Sequence, residues 1–249
     1  MSTIIFLSSG LIVIIVVFLL SSNGKPVPLH DDQGNPIPGS VSEKIFIEIN
    51  GVRQGMFIKS KNTSNPVLLF LHGGPGMPEY FLTQNYPTRL EENFTVVWWE
   101  QRGAGISYSP DIIPETMDVN QLVDDTIEVT NYLRERFGKE KIYLMGHSGG
   151  SFIGILAADR APELFYAYIG VAQMSYQIKS ENLAYEYMLE EYNKLGDYNM
   201  VKKLEKAPPR MISPLPIAYL KLRDDSMHRL GIGTTRGMKS VITGIFIPS

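Results

Sequence analysis

At 249 residues, 44% of them hydrophobic and 20% charged, the chain is long enough to bury one α/β domain or a domain with an insertion. Its net charge of −3 comes without any basic stripe, so nucleic acid as a partner lacks its electrostatic footprint. There is no cysteine, which excludes disulfides and thiolate metal sites, and no metal or organic cofactor is implied.

The run Ile4 to Leu20 is uncharged and, at about 1.5 Å per residue, approaches the hydrocarbon thickness of a bilayer. Residues 1–22 therefore read as a transmembrane anchor or signal segment. No Lys or Arg precedes Ile4, and Ser21, Ser22 and Gly24 follow it, which favours an uncleaved anchor over a cleaved signal. The expected location is membrane-anchored, or secreted if the segment is cut. Residues 23–40 are a polar, proline-bearing linker.

Residues 41–172 carry the pattern of an α/β core. Lys44 to Ile49 alternates apolar and polar, Asn50-Gly51 is a two-residue hairpin signal, and Val52 to Lys59 returns as a second strand. Pro66 to Leu71 suits a strand buried on both faces and ends in His72-Gly73-Gly74-Pro75-Gly76, where glycines let backbone approach a ligand. A helix with a break near Pro87 is expected over Glu79 to Leu90. The next strand, Phe94 to Trp99, runs into Glu100-Gln101-Arg102-Gly103-Ala104-Gly105-Ile106-Ser107. Asp118 with Gln121 starts a helix whose face is Leu122, Thr126, Val129, Leu133 and Phe137 and which stops at Gly138.

Lys141 to Met145 is a further strand, and the sequence from Gly149 onward is helical with a buried face. Between them, Gly146-His147-Ser148-Gly149-Gly150 fits Gly-x-Ser-x-Gly at a strand-to-helix junction, a turn that lifts the serine hydroxyl clear of the sheet. The helix N-terminus behind it offers free N–H groups to a developing oxyanion. Phe165 to Ala172 is one more strand. Residues 173–249 show no further strand–helix alternation and read as a helical cap, incomplete, with helices over Ser180 to Lys194 and Ile217 to Met227. No repeat is present.

Taken together, these motifs resemble the α/β-hydrolase superfamily and, within it, the prolyl aminopeptidase (proline iminopeptidase) family. His-Gly-Gly-Pro-Gly, an Asp-Gln-Arg-Gly-x-Gly-x-Ser loop and the serine turn follow in that order between Lys44 and Ala172. Glu100 stands for the usual aspartate, and Gly149-Gly150 for a tryptophan-glycine pair. The resemblance implies an α/β-hydrolase fold, a mainly parallel sheet with flanking helices and a helical cap. It makes Ser148 the nucleophile and assigns the oxyanion hole to the N–H of Gly149 and that of Gly74 or Gly73.

The implied activity is serine hydrolysis through an acyl-enzyme, with a small peptide bearing a free N-terminus as substrate ahead of an ester or amide. Arg102 is weighed as a partner for a substrate carboxylate against anchoring its loop. Glu186 and Glu190, one helical turn apart, are weighed as captors of a substrate amino group against a solvated face. Of the four histidines, His30 lies in the linker, His72 suits a loop hydrogen bond, His147 points away from Ser148, and His228 lacks a preceding strand. The chain ends at Gly244-Ile245-Phe246-Ile247-Pro248-Ser249, which reads as mid-domain sequence. The expectation is a hydrolase without its last strands, triad acid and histidine. The alternative is a membrane-tethered inactive fragment or binding module, and oligomeric state is open.

Overall fold

A computed structural model describes residues 26–74, 76–210 and 215–232; the apolar run Ile4 to Leu20 lies outside the described residues. Among the described residues, no helix is long and apolar enough to cross a membrane. These residues form two compact units divided between Met174 and Ser175.

The first unit is built on six strands in the order β1-β2-β4-β3-β5-β6. β1 (Val41–Ile49) and β2 (Val52–Ser60) form the antiparallel hairpin. Asn50 and Gly51 both take positive φ at its turn, 45° and 74°, as a two-residue turn that matches strand twist requires. β2 pairs antiparallel with β4 (Thr95–Glu100), and from there β3 (Val67–Leu71), β5 (Ile142–His147) and β6 (Phe165–Val171) are parallel.

The strand order places the site. From β3 the chain moves out to β4, then crosses back over β3 to reach β5 and β6. β3 and β5 are neighbours whose following segments leave in opposite directions, so their carboxyl ends open a crevice. The glycine loop follows β3, and the serine follows β5.

Two helices cover one face. α1 (Val119–Phe137) starts where the Asp118 side chain accepts from Gln121 N at 2.9 Å and ends at Gly138; α2 (Gly149–Arg160) follows the serine. Val123, Val129 and Leu133 of α1 and Ile153 and Ala157 of α2 pack with Leu69, Leu71, Val97, Trp99 and Leu144 of the sheet. The alternate residues Leu68, Val96 and Trp98 turn to the other face, where Phe57 and Tyr80 meet them, as a period of two dictates.

The expected helix over Glu79 to Leu90 is much shorter: a single helical turn, Leu82–Asn85, and a 3-10 turn, Leu90–Glu92. Neither has a side-chain cap, and Arg89 takes a positive φ of 60°, so local signals do not sustain a longer helix.

The second unit holds α3 (Gln177–Lys194), α4 (Tyr198–Lys206) and α5 (Ile217–Arg229). α3 begins three residues earlier than the sequence pattern suggests, and α4 was not anticipated. Its start is nonetheless capped, since Asp197 accepts from Met200 N at 3.0 Å. Met188, Tyr192, Met200, Leu204 and Tyr219 form the core of this unit. A buried carboxylate, Glu181, is held there by the Tyr219 hydroxyl at 2.8 Å and Arg223 at 2.8 Å.

Candidate active site

Ser148 occupies the turn between β5 and α2 with φ 50° and ψ −118°, a backbone state that non-glycine residues seldom adopt and that costs on the order of 1–3 kcal/mol. The neighbourhood holds it there. Ser148 N donates to Val171 O at the end of β6 at 2.9 Å, and Ser148 O accepts from Ser151 N at 2.9 Å and Ser151 Oγ at 2.5 Å. Ser151 is itself buried, receives Met174 N on its hydroxyl at 2.9 Å and the Tyr168 hydroxyl on its carbonyl at 2.7 Å.

Glycines flank the serine for steric reasons. A Cβ on Gly146 would stand 2.5 Å from Gly150 O and 2.7 Å from the Ser151 Cα. One on Gly150 would meet the carbonyls of Leu71 and His72, and one on Gly149 would meet the Gly74 carbonyl. Helix α2 therefore lies directly on the end of β3, and the glycine loop lies directly on the first residue of α2.

That contact brings Gly74 and Gly149, the residues expected to supply oxyanion donors, side by side. Gly74 N lies 3.4 Å from the point where a Gly149 Cβ would be, so the backbones of the two residues adjoin beside Ser148. Gly74 adopts φ 106°, a glycine conformation that brings its backbone over the turn. The N–H of Gly73, the other expected donor, donates to Glu79 Oε1 at 3.0 Å.

The same oxygen, Glu79 Oε1, lies 2.7 Å from His147 Nδ1. This bond raises the His147 pKa above its ordinary 6.5, with burial opposing it. Glu79 was not singled out from sequence, where it opened the expected helix. The available signal was an acidic residue three positions after the glycine loop.

His72 does what the sequence suggested. It is buried, its Nδ1 lies 2.9 Å from Gly73 O, its Nε2 accepts from Gln101 N at 3.0 Å, and its carbonyl accepts from Gln101 Nε2 at 3.1 Å. Two ring nitrogens in those roles describe a neutral imidazole, and burial pulls its pKa below 6.5. The two histidines thus bias stability in opposite pH windows. The contribution of His72 is present above 6.5 and is lost as pH falls below it; that of His147 is present below 6.5 and is lost as pH rises through its raised value. Denaturant unfolding from pH 5 to 6.5 is expected to show stability rising with pH, and His72→Asn, which carries no titratable proton there, is expected to flatten that slope.

Arg102, weighed as a partner for a substrate carboxylate, is 3% exposed and occupied elsewhere. Its Nε and Nη2 donate to the two carboxylate oxygens of Asp125 at 2.8 and 2.9 Å, and Nη2 also reaches Asn50 O at 3.3 Å. Asp125, fully buried in α1, further accepts from Asn50, Gln54 and Gln121 at 2.8, 2.8 and 2.9 Å. The guanidinium ties the loop after β4 to the hairpin turn and α1. Glu100 stays in that loop as well, buried, accepting from Ile106 N at 2.5 Å, with burial raising its pKa.

Glu186 and Glu190 belong to the second unit, on α3. Both are exposed, and Glu190 pairs with Lys194 at 2.7 Å. His228, the histidine that follows Ser148 in the chain, lies on α5 of the second unit.

The site has relatives. The chain is 39% identical over 165 residues to the probable aminopeptidase YbaC of Bacillus subtilis, covering 66% of this chain and 52% of the relative. It is 30% identical over 155 residues to a proline iminopeptidase of Saccharolobus solfataricus, covering 57% of this chain and 47% of the relative. It spans about half the length of these curated relatives. A crystal structure of a proline iminopeptidase-related protein from Thermus thermophilus shares the fold, with a TM-score of 0.51 at 23% identity over 77% of this chain and 72% of that one. Residues 66–209, which hold the glycine loop, the Arg102 loop and the serine turn, match the profile of the alpha/beta hydrolase fold, and the chain belongs to that family.

Proposed function

We propose that Ser148 is the nucleophile of a serine hydrolase of the aminopeptidase type. The observation that carries the reading is the backbone of Ser148, held at φ 50° between β5 and α2 with Gly149 and Gly74 adjoining it. In this reading Ser148 Oγ attacks a carbonyl, and the N–H groups of Gly149 and Gly74 receive the oxyanion. An acyl-enzyme forms and is then hydrolysed. Two fixed backbone donors require no reorganisation as charge develops, and losing one such donor typically costs about 10²- to 10³-fold in rate.

The substrate class is a small peptide with a free N-terminus, ahead of a small ester or amide; the names of the two relatives support this order. Membrane attachment through Ile4 to Leu20 belongs to the same proposal.

A second reading, a catalytically inactive binding module, is favoured by one observation: His228, the histidine that follows Ser148 in the chain, lies on helix α5 and not after a strand, where the resemblance would put the base. A fluorophosphonate probe separates the two. On the first reading one residue is labelled, Ser148, and Ser148→Ala abolishes labelling while unfolding as the parent does. Absence of labelling in the parent selects the binding module, and labelling that persists in Ser148→Ala removes Ser148 as nucleophile.

A further inference from the structure

We propose that Glu79 and His147 form a proton-sensitive staple joining the glycine loop to the serine turn, a positioning pair that sets where the oxyanion donors stand. The inference rests on the serine-hydrolase reading for its consequence, and on geometry for its existence.

The staple begins where the sheet ends. Leu71 and Gly146 are the last residues that pair β3 with β5. Beyond them a single carboxylate oxygen takes over: Glu79 Oε1 accepts from Gly73 N at 3.0 Å and lies 2.7 Å from His147 Nδ1. Glu79 is itself braced, because its neighbour Tyr80 is buried and stacks on Phe57 with ring centroids 4.0 Å apart.

The joint lies beside the nucleophile. The point where a Gly73 Cβ would stand is 3.1 Å from Glu79 Oε1, 3.2 Å from Ser148 Cβ and 3.4 Å from His147 Nδ1. A movement of the pair is therefore a movement of Gly73, whose neighbour Gly74 adjoins Gly149. Neither partner is sealed off: the His147 and Glu79 side chains are 37% and 21% exposed, so protons reach the joint.

Protonation changes the strength of the joint. With His147 cationic, Nδ1–H to Glu79 is a charge-assisted bond. With His147 neutral, the bond persists only in the tautomer that keeps the proton on Nδ1. Among the described residues, the charge acting on His147 is that of Glu79, which also acts on the buried, neutral His72. The loop is thus tight when the pair is an ion pair and looser when it is not.

The test uses nuclear magnetic resonance on the isotope-labelled chain, followed by reaction of Ser148 with a fluorophosphonate. The His147 ring is expected to titrate above 6.5, with the Gly73 amide following the same midpoint. In Glu79→Gln the side-chain oxygen still accepts from Gly73 but the charge is gone. The His147 midpoint should fall, the Gly73 amide should cease to follow it, and phosphonylation should slow about tenfold. A purely structural link would leave the Gly73 amide indifferent to the state of His147.

A flat Gly73 amide through the His147 titration, or an unchanged midpoint in Glu79→Gln, overturns the staple. Should Glu79→Gln fail to fold, His147→Asn decides, because it must flatten the Gly73 titration. If the parent never reacts with the probe, the hydrolase reading fails while the resonance measurements still decide the staple.

Discussion

Replacing Asp125 by alanine is expected to destabilise the fold by about 3–5 kcal/mol, because it leaves the Arg102 guanidinium buried without its counter-charge. The loss extends beyond one pair. Asn50, Gln54 and Gln121 each donate to the same carboxylate, and Gln54 in turn receives Trp99 Nε1 at 3.0 Å. Five elements meet there: the hairpin turn, β2, β4 through Trp99, the Arg102 loop and α1. Chemical denaturation of the parent and Asp125→Ala gives the number directly. The double variant Asp125→Leu with Arg102→Met should recover much of the loss, since a buried ion pair contributes little net energy when both partners go together. A cost below about 1 kcal/mol for Asp125→Ala would mean that water reaches Arg102.

Gly150→Ala is expected to cost about 3 kcal/mol and to abolish labelling of Ser148. The added Cβ would meet two main-chain carbonyls, Leu71 O and, at 2.6 Å, His72 O. Neither can give way readily, because β3 is a central strand and His72 O is held by Gln101 Nε2. Relief must come from lifting α2 off the sheet, which displaces Ser148 and the first N–H of the helix. Gly154→Ala, four residues along the same helix, is the control. Its Cβ would stand 2.8 Å from Cε2 of Tyr168, the edge of a side chain that can shift, so a smaller cost and retained labelling are expected. Equal costs for the two variants would contradict the close contact of α2 with the end of β3.

Local chemistry accounts for how much of the fold was legible. The hairpin, the apolar strands, the Asp118 cap and the serine turn are written in short-range terms: alternation, a two-residue turn, a cap three residues from its partner, small residues around a strained one. Each stood in the structure within a few residues of its expected place. The segment from Glu79 to Leu90 did not, because its helical composition lacks caps and its residues are used for tertiary contacts instead, Tyr80 on Phe57 and Glu79 on His147. The start of α4 at Asp197 rests on a local cap as well, three residues from its partner.

What the sequence determined by itself is the class of fold and the serine turn, since a strand, a tight glycine-flanked turn and a helix specify that geometry with little outside help. Asp125 was also within its reach: it lies three residues after Leu122 and four before Val129, an acid on an apolar helical face. Which partner each charge takes was decided by tertiary structure alone. Arg102 meets Asp125 across 23 positions, and Glu79 meets His147 across 68. The preference of a buried charge depends on which counter-charge the sheet order brings within about 3 Å, and no local pattern carries that distance.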